Sequence, residues 1–103
     1  MSQALAVDRR ASPRRQVEIQ ALVLVPKQFH THATVVDLSE GGCQLRLQRP
    51  LELPQRFIVQ FNGAAYLCDR RWMVGANMGL QFIDMLTRAQ RRKLASLPAT
   101  PRI

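Results

Sequence analysis

The sequence predicts an all-β-dominated domain: a six-stranded antiparallel barrel with one C-terminal helix and a flexible N-terminal arm. Three observations predict it. Six short runs place apolar residues at alternate positions or fill with β-branched residues, as strands on a shared core do. Turn residues (Pro26-Lys27, Gly41-Gly42, Pro50 to Pro54, Asn62-Gly63, Gly75) separate the runs at roughly ten-residue intervals, the rhythm of small barrels. After the sixth run, Thr87-Arg88-Ala89-Gln90 has the form of a helix capping box. A chain of 103 residues can build one core but not two independent ones, so a single domain is expected.

Met1 to Val7 carries no periodicity, and Arg9 to Arg15 is an arginine cluster broken by Ser12-Pro13. Residues 1–14 are therefore read as the arm, 15–97 as barrel plus helix, and 98–103 as a tail. From Gln16, Val17, Ile19, Ala21, Val23 and Val25 alternate with Glu18, Gln20, Leu22 and Leu24. This first strand should be wet on one face at its start and buried on both near its end.

His32 to Leu38 reads as the second strand, with His30 and His32 two apart near its start, spaced to share a face and read as loop histidines rather than metal ligands. Cys43 to Gln48 is the third, its Cys43, Leu45 and Leu47 turned inward and Gln44, Arg46 and Gln48 outward. Arg56 to Phe61 and Ala64 to Trp72 flank Asn62-Gly63, the strongest short hairpin signal, because both central residues of a type I′ turn need positive φ. Met78 to Ile83 is the sixth strand. In the helix, Leu94 and Leu97 form an apolar stripe that leaves Arg88, Arg91, Arg92 and Lys93 to solvent, and the helix should stop near Pro98.

The formal charge is +8, from 15 Lys+Arg against 7 Asp+Glu, and only Lys27 and Lys93 of the basic residues are not arginine. Arginine's planar fork pairs bidentately with phosphate and with the O6/N7 edge of guanine, so the bias raises phosphate-bearing partners. Cys43 and Cys68 sit in apolar strands without metal-ligand spacing, which predicts reduced, buried thiols and a cytoplasmic protein. No secretory leader is read at the N-terminus, and no window reaches the roughly 18 to 20 apolar residues of a membrane span. No G-x-S-x-G, nucleophile and base pair, or carboxylate pair suggests catalysis, and no metal or cofactor is expected.

Two motifs remain. Arg10-x-x-x-Arg14 lies on the arm, and Asp37-x-Ser39-x-x-Gly42 lies at the bend between the second and third strands. Each has a plain structural reading: a solvated basic tail, and an Asx-type turn in which Asp37 accepts backbone N-H groups while the glycines supply positive φ. Together and in this order they resemble the PilZ domain family. Asp8-Arg9-Arg10, Trp72 on the fifth strand, Met78 to Phe82 on the sixth and the arginine-rich C-terminal helix extend the resemblance over about residues 8 to 97.

That resemblance implies a receptor for the bacterial second messenger cyclic di-GMP, held by Arg10, Arg14, Asp37, Ser39 and Gly42, and a switch that signals to a partner protein. The residue types suit the ligand. Arg10 and Arg14 present forks to a phosphate or a guanine acceptor edge, and Asp37 can accept from the guanine donor edge that adenine lacks. Ser39 offers a hydroxyl, and Gly42 lets the backbone approach closely. Arg9 is placed to hold the second molecule of a self-stacked ligand dimer. Trp72 would either stack on a purine or fill the core or barrel rim. A small basic barrel that binds RNA or DNA is the competing reading, disfavoured because only 6% of residues are aromatic; a ligand-independent adaptor of the same fold is the third.

Overall fold

Inward-pointing side chains recur at every second residue of each strand, so the hydrophobic effect is satisfied when the sheet curls until its two edges meet. The computed structural model describes residues 14–94 and 97–99 and shows that closure. The strands are β1 (Arg15–Val25), β2 (Phe29–Leu38), β3 (Gly42–Leu47), β4 (Arg56–Phe61), β5 (Ala64–Val74) and β6 (Asn77–Met85), followed by α1 (Arg88–Arg92). Their order around the barrel is β1-β2-β3-β6-β5-β4, every neighbour antiparallel. The ring closes where Leu22, Val23 and Leu24 of β1 pair with Gln60, Val59 and Ile58 of β4.

Val23, Val35, Leu45, Phe57, Val59, Cys68 and Met78 fill the interior and are essentially sealed from water. A second cluster lies outside the barrel wall, where Leu24, Ile58 and Ala65 are covered by Leu22, Leu67, Leu86, Leu94 and Leu97. This accounts for the two-sided burial expected at the end of β1: one face meets the interior and the other meets the C-terminal segment. Both cysteines are free and buried. Burial, and secondarily the charge of Asp37, pushes the Cys43 thiol up to about 12; burial, with Cys43 beside it, does the same to Cys68.

Asn62 (φ 52°) and Gly63 (φ 77°) adopt the left-handed conformation that their hairpin requires. Two expectations are corrected. His30 and His32 are strand residues of β2 rather than loop residues. Lys27 takes φ 66°, and Gln28 N-H donates to the Val25 carbonyl (3.0 Å), so the turn is tight enough for pairing to resume at Phe29. Their rings do share a face, edge to face with centroids 6.3 Å apart.

The helix is also shorter than expected. The capping box forms as read, with Gln90 N-H on the Thr87 hydroxyl and Thr87 N-H on the Gln90 side chain, but α1 ends at Arg92 with Lys93 as its C-cap. The chain is drawn toward β2 instead: His30 N-H donates to the Pro98 carbonyl (2.7 Å), and His30 Nδ1 lies 2.8 Å from the Leu97 carbonyl. Among the described residues, no helix is long and apolar enough to cross a membrane.

Candidate ligand-binding site

At the Arg15 end of β1 two strand registers slip. β1 shifts against β2 between Gln16 and Ile19, and β2 shifts against β3 between Val35 and Asp37. Bulges of this kind re-aim the side chains beside them. Here they set Asp37 next to the residue that precedes β1: Arg14 Nη1 lies 3.4 Å from Asp37 Oδ2. The Arg14 side chain is 69% exposed and that of Asp37 20%. A pair so open to water contributes only about 0 to 1 kcal/mol, so stability does not account for the arrangement. The other oxygen, Asp37 Oδ1, is buried and has no hydrogen-bond partner among the described residues. An acceptor in that state is costly, and an incoming N-H would relieve it.

The bend after Asp37 is not an Asx turn. Asp37 accepts from no backbone N-H in this bend, and neither Gly41 nor Gly42 has positive φ. Ser39 closes the bend, donating through its N-H (3.0 Å) and hydroxyl (3.3 Å) to the Gly42 carbonyl. Glycine is needed at 42 because β3 runs so close to β6 that a Cβ there would collide with the Leu80 backbone carbonyl. The close approach expected at Gly42 is thus made by a neighbouring strand.

Trp72 is not a core residue. It is 43% exposed and pairs across the β5-β6 hairpin with Gly79, whose missing side chain is replaced by the indole: a Cβ on Gly79 would collide with Trp72 Nε1. A third register shift, between Arg70 and Trp72, aims the ring outward. Arg14, Asp37, Ser39, Gly42 and Trp72 all line one cleft of about 180 Å³. That is below the roughly 300 to 1,000 Å³ of a pocket for a drug-sized ligand, so the described wall can hold only part of one. Arg9 and Arg10 lie outside the described residues.

Gln44, Gly79 and Gln81 also line the cleft and were not singled out from the sequence. Gly79 was findable: counting outward from the turn at Gly75 sets residue 72 opposite 79. The glutamines carry no such signal. Gln81 accepts from Arg71 Nη1 (2.6 Å), which brings a further guanidinium to the rim, and Arg71 also lies 3.8 Å from Asp69. The Gln55 amide, with Arg56 and Arg71, holds the half-buried Asp69 carboxyl below its usual range.

Taken together, the cleft is lined by a cationic fork, a carboxylate one of whose oxygens is buried without a donor among the described residues, a hydroxyl and an aromatic face. Such a set suits a planar, N-H-bearing base attached to an anion. A family model described as the PilZ domain matches residues 8–97 of the chain. No curated protein matches it. Among solved structures, the Bacillus subtilis inhibitor of motility (MotI/DgrA) is similar, with a TM-score of 0.63 at 14% identity, over 85% of this chain and 49% of that one. At that identity the likeness is one of fold, and this chain spans about half the length of that neighbour.

Proposed function

Since the chain belongs to the PilZ domain family, whose members are in general cyclic di-GMP-binding adaptors and not enzymes, we propose that it is a bacterial, cytoplasmic cyclic di-GMP receptor that signals to a partner protein. The observation that carries the reading is the meeting of the two motifs. Arg14 of the arm motif and Asp37 of the bend motif, 23 residues apart, face each other across one cleft beside the exposed Trp72.

The mechanism requires no covalent chemistry. A guanine whose N1-H and N2-H₂ edge meets Asp37 supplies the donor that Oδ1 lacks, and Trp72 gives its ring a face on which to stack. Arg14 is released from Asp37 to the phosphate or to the acceptor edge, where a charge-assisted hydrogen bond is worth roughly 1.5 to 3 kcal/mol. Arg10 and Arg9 approach from the arm, Arg9 on the second molecule when the ligand enters as a stacked dimer. Because the described cleft holds only part of the ligand, the arm completes the site, and its conformation changes as it does so. The partner reads that change.

Calorimetric titration with cyclic di-GMP, with cyclic di-AMP as control, tests the reading. Saturable binding of the guanine ligand alone is expected, with a stoichiometry that drops from two to one in Arg9→Ala if the dimer enters. No binding of cyclic di-GMP, together with salt-sensitive binding of mixed-sequence oligonucleotides, would make the chain a nucleic-acid binder instead.

A further inference from the structure

A second groove, of about 550 Å³, shares no residue with the cleft. Leu22, Leu24 and Leu94 line it with apolar surface, and Arg88, Arg91 and Arg92 of α1 supply its charge. Leu24 is ten residues along β1 from Arg14, roughly 30 Å of strand. Among the described residues, no carboxylate lines the groove.

Helix stability does not explain these arginines. Arg88 opens α1, where the positive end of the helix dipole disfavours a cation, and the first turn carries no acidic residue. Arg88 and Arg92 are like charges four apart, a repulsive spacing. Arg91 is used in the fold, donating to the Gly63 carbonyl (2.6 Å) and so tying α1 to the β4-β5 hairpin. Arg88 and Arg92 are exposed and have no hydrogen-bond or ion-pair partner among the described residues. The fold thus holds two uncompensated guanidinium groups beside a leucine-lined channel.

We propose that this groove docks an acidic segment of a partner protein, with apolar side chains of that segment on the half-buried Leu22 and Leu94, which cover Leu24, and its carboxylates on Arg88 and Arg92. Charge complementarity fixes the sign, and the leucines fix the amphipathic character. Nucleic acid fits less well, because among the described residues the groove offers a base only the His30 ring, which is already edge to face with His32 and 2.8 Å from the Leu97 carbonyl. A lipid surface needs apolar side chains that protrude into it, whereas these leucines line a recess. The proposal stands whether or not the cleft takes cyclic di-GMP.

The test pans a phage-displayed library of random dodecapeptides on the full chain, with counter-selection on the Arg88→Glu/Arg92→Glu variant. Enriched peptides should combine clustered carboxylates with leucine or isoleucine, and shift the NMR amide signals of Leu22, Leu24 and Leu94. They should lose roughly tenfold or more in affinity for that variant and for the milder Arg88→Gln/Arg92→Gln pair. Cyclic di-GMP titration of the same preparations should be equal in all three proteins, which separates this site from the cleft. Peptides without acidic enrichment, or with undiminished binding to both variants, overturn the proposal. So does Arg88- and Arg92-dependent binding of mixed-sequence RNA or phosphatidylglycerol vesicles that outcompetes the peptides.

Discussion

Two glycines near the cleft do opposite work, and the difference can be measured. At Gly42 the space for a side chain is filled by a backbone carbonyl, at Gly79 by an indole that is itself on the surface. Gly42→Ala must therefore move β3 against β6, at a cost of roughly 1 to 3 kcal/mol in a denaturant titration. Gly79→Ala displaces Trp72 into solvent, with a red shift of its fluorescence and weaker cyclic di-GMP binding but little loss of stability. The thiols give a second prediction. Cys43 and Cys68 stand at about 12 when folded against 9.0 as the ordinary value. Below pH 9 both states are protonated and their contribution is complete; as pH rises toward 12 the unfolded chain ionises first, so stability falls. The urea midpoint should hold below pH 9 and drop between pH 9 and pH 12, and the drop should be smaller in Cys68→Ala than in the wild type.

The elements show which parts of the fold were legible. Strand positions followed from period-two alternation, and the Asn62-Gly63 hairpin from its demand for positive φ, because both signals are local. The capping box was local too, and it formed. Two expectations failed for different reasons: β2 starts early because Lys27 takes a left-handed φ that a non-glycine rarely adopts, and α1 ends early because β2, distant in sequence, captures Leu97 and Pro98. The register shifts that aim Asp37 and Trp72 leave no pattern in one strand read alone, since a bulge is a mismatch between two. Hence Arg14 and Asp37 were named from motifs, while their pairing, and the glutamines around them, were not. The outer cluster makes its own prediction: Leu94→Ala, which uncovers Leu24 and Ile58, should lower stability by about 1 to 2 kcal/mol and leave ligand affinity unchanged.

At the scale of the whole molecule, the barrel places Arg14, Asp37, Ser39 and Trp72 along one cleft, and in the proposed function the N-terminal arginines supply the other half of a site. The large positive charge speeds the encounter with an anionic ligand but does not define the site, since nucleic acid would feel the same field. In the proposed function, specificity would rest on Asp37, Trp72 and the arginines acting together. The central claim is that neither half holds the ligand alone. Titration of cyclic di-GMP into the wild type, Arg14→Ala and Asp37→Ala, followed by Trp72 fluorescence, tests it most directly. Saturable quenching is expected in the wild type and its loss in each single variant, with the circular dichroism of the barrel unchanged in all three. Wild-type affinity retained in either variant would contradict it.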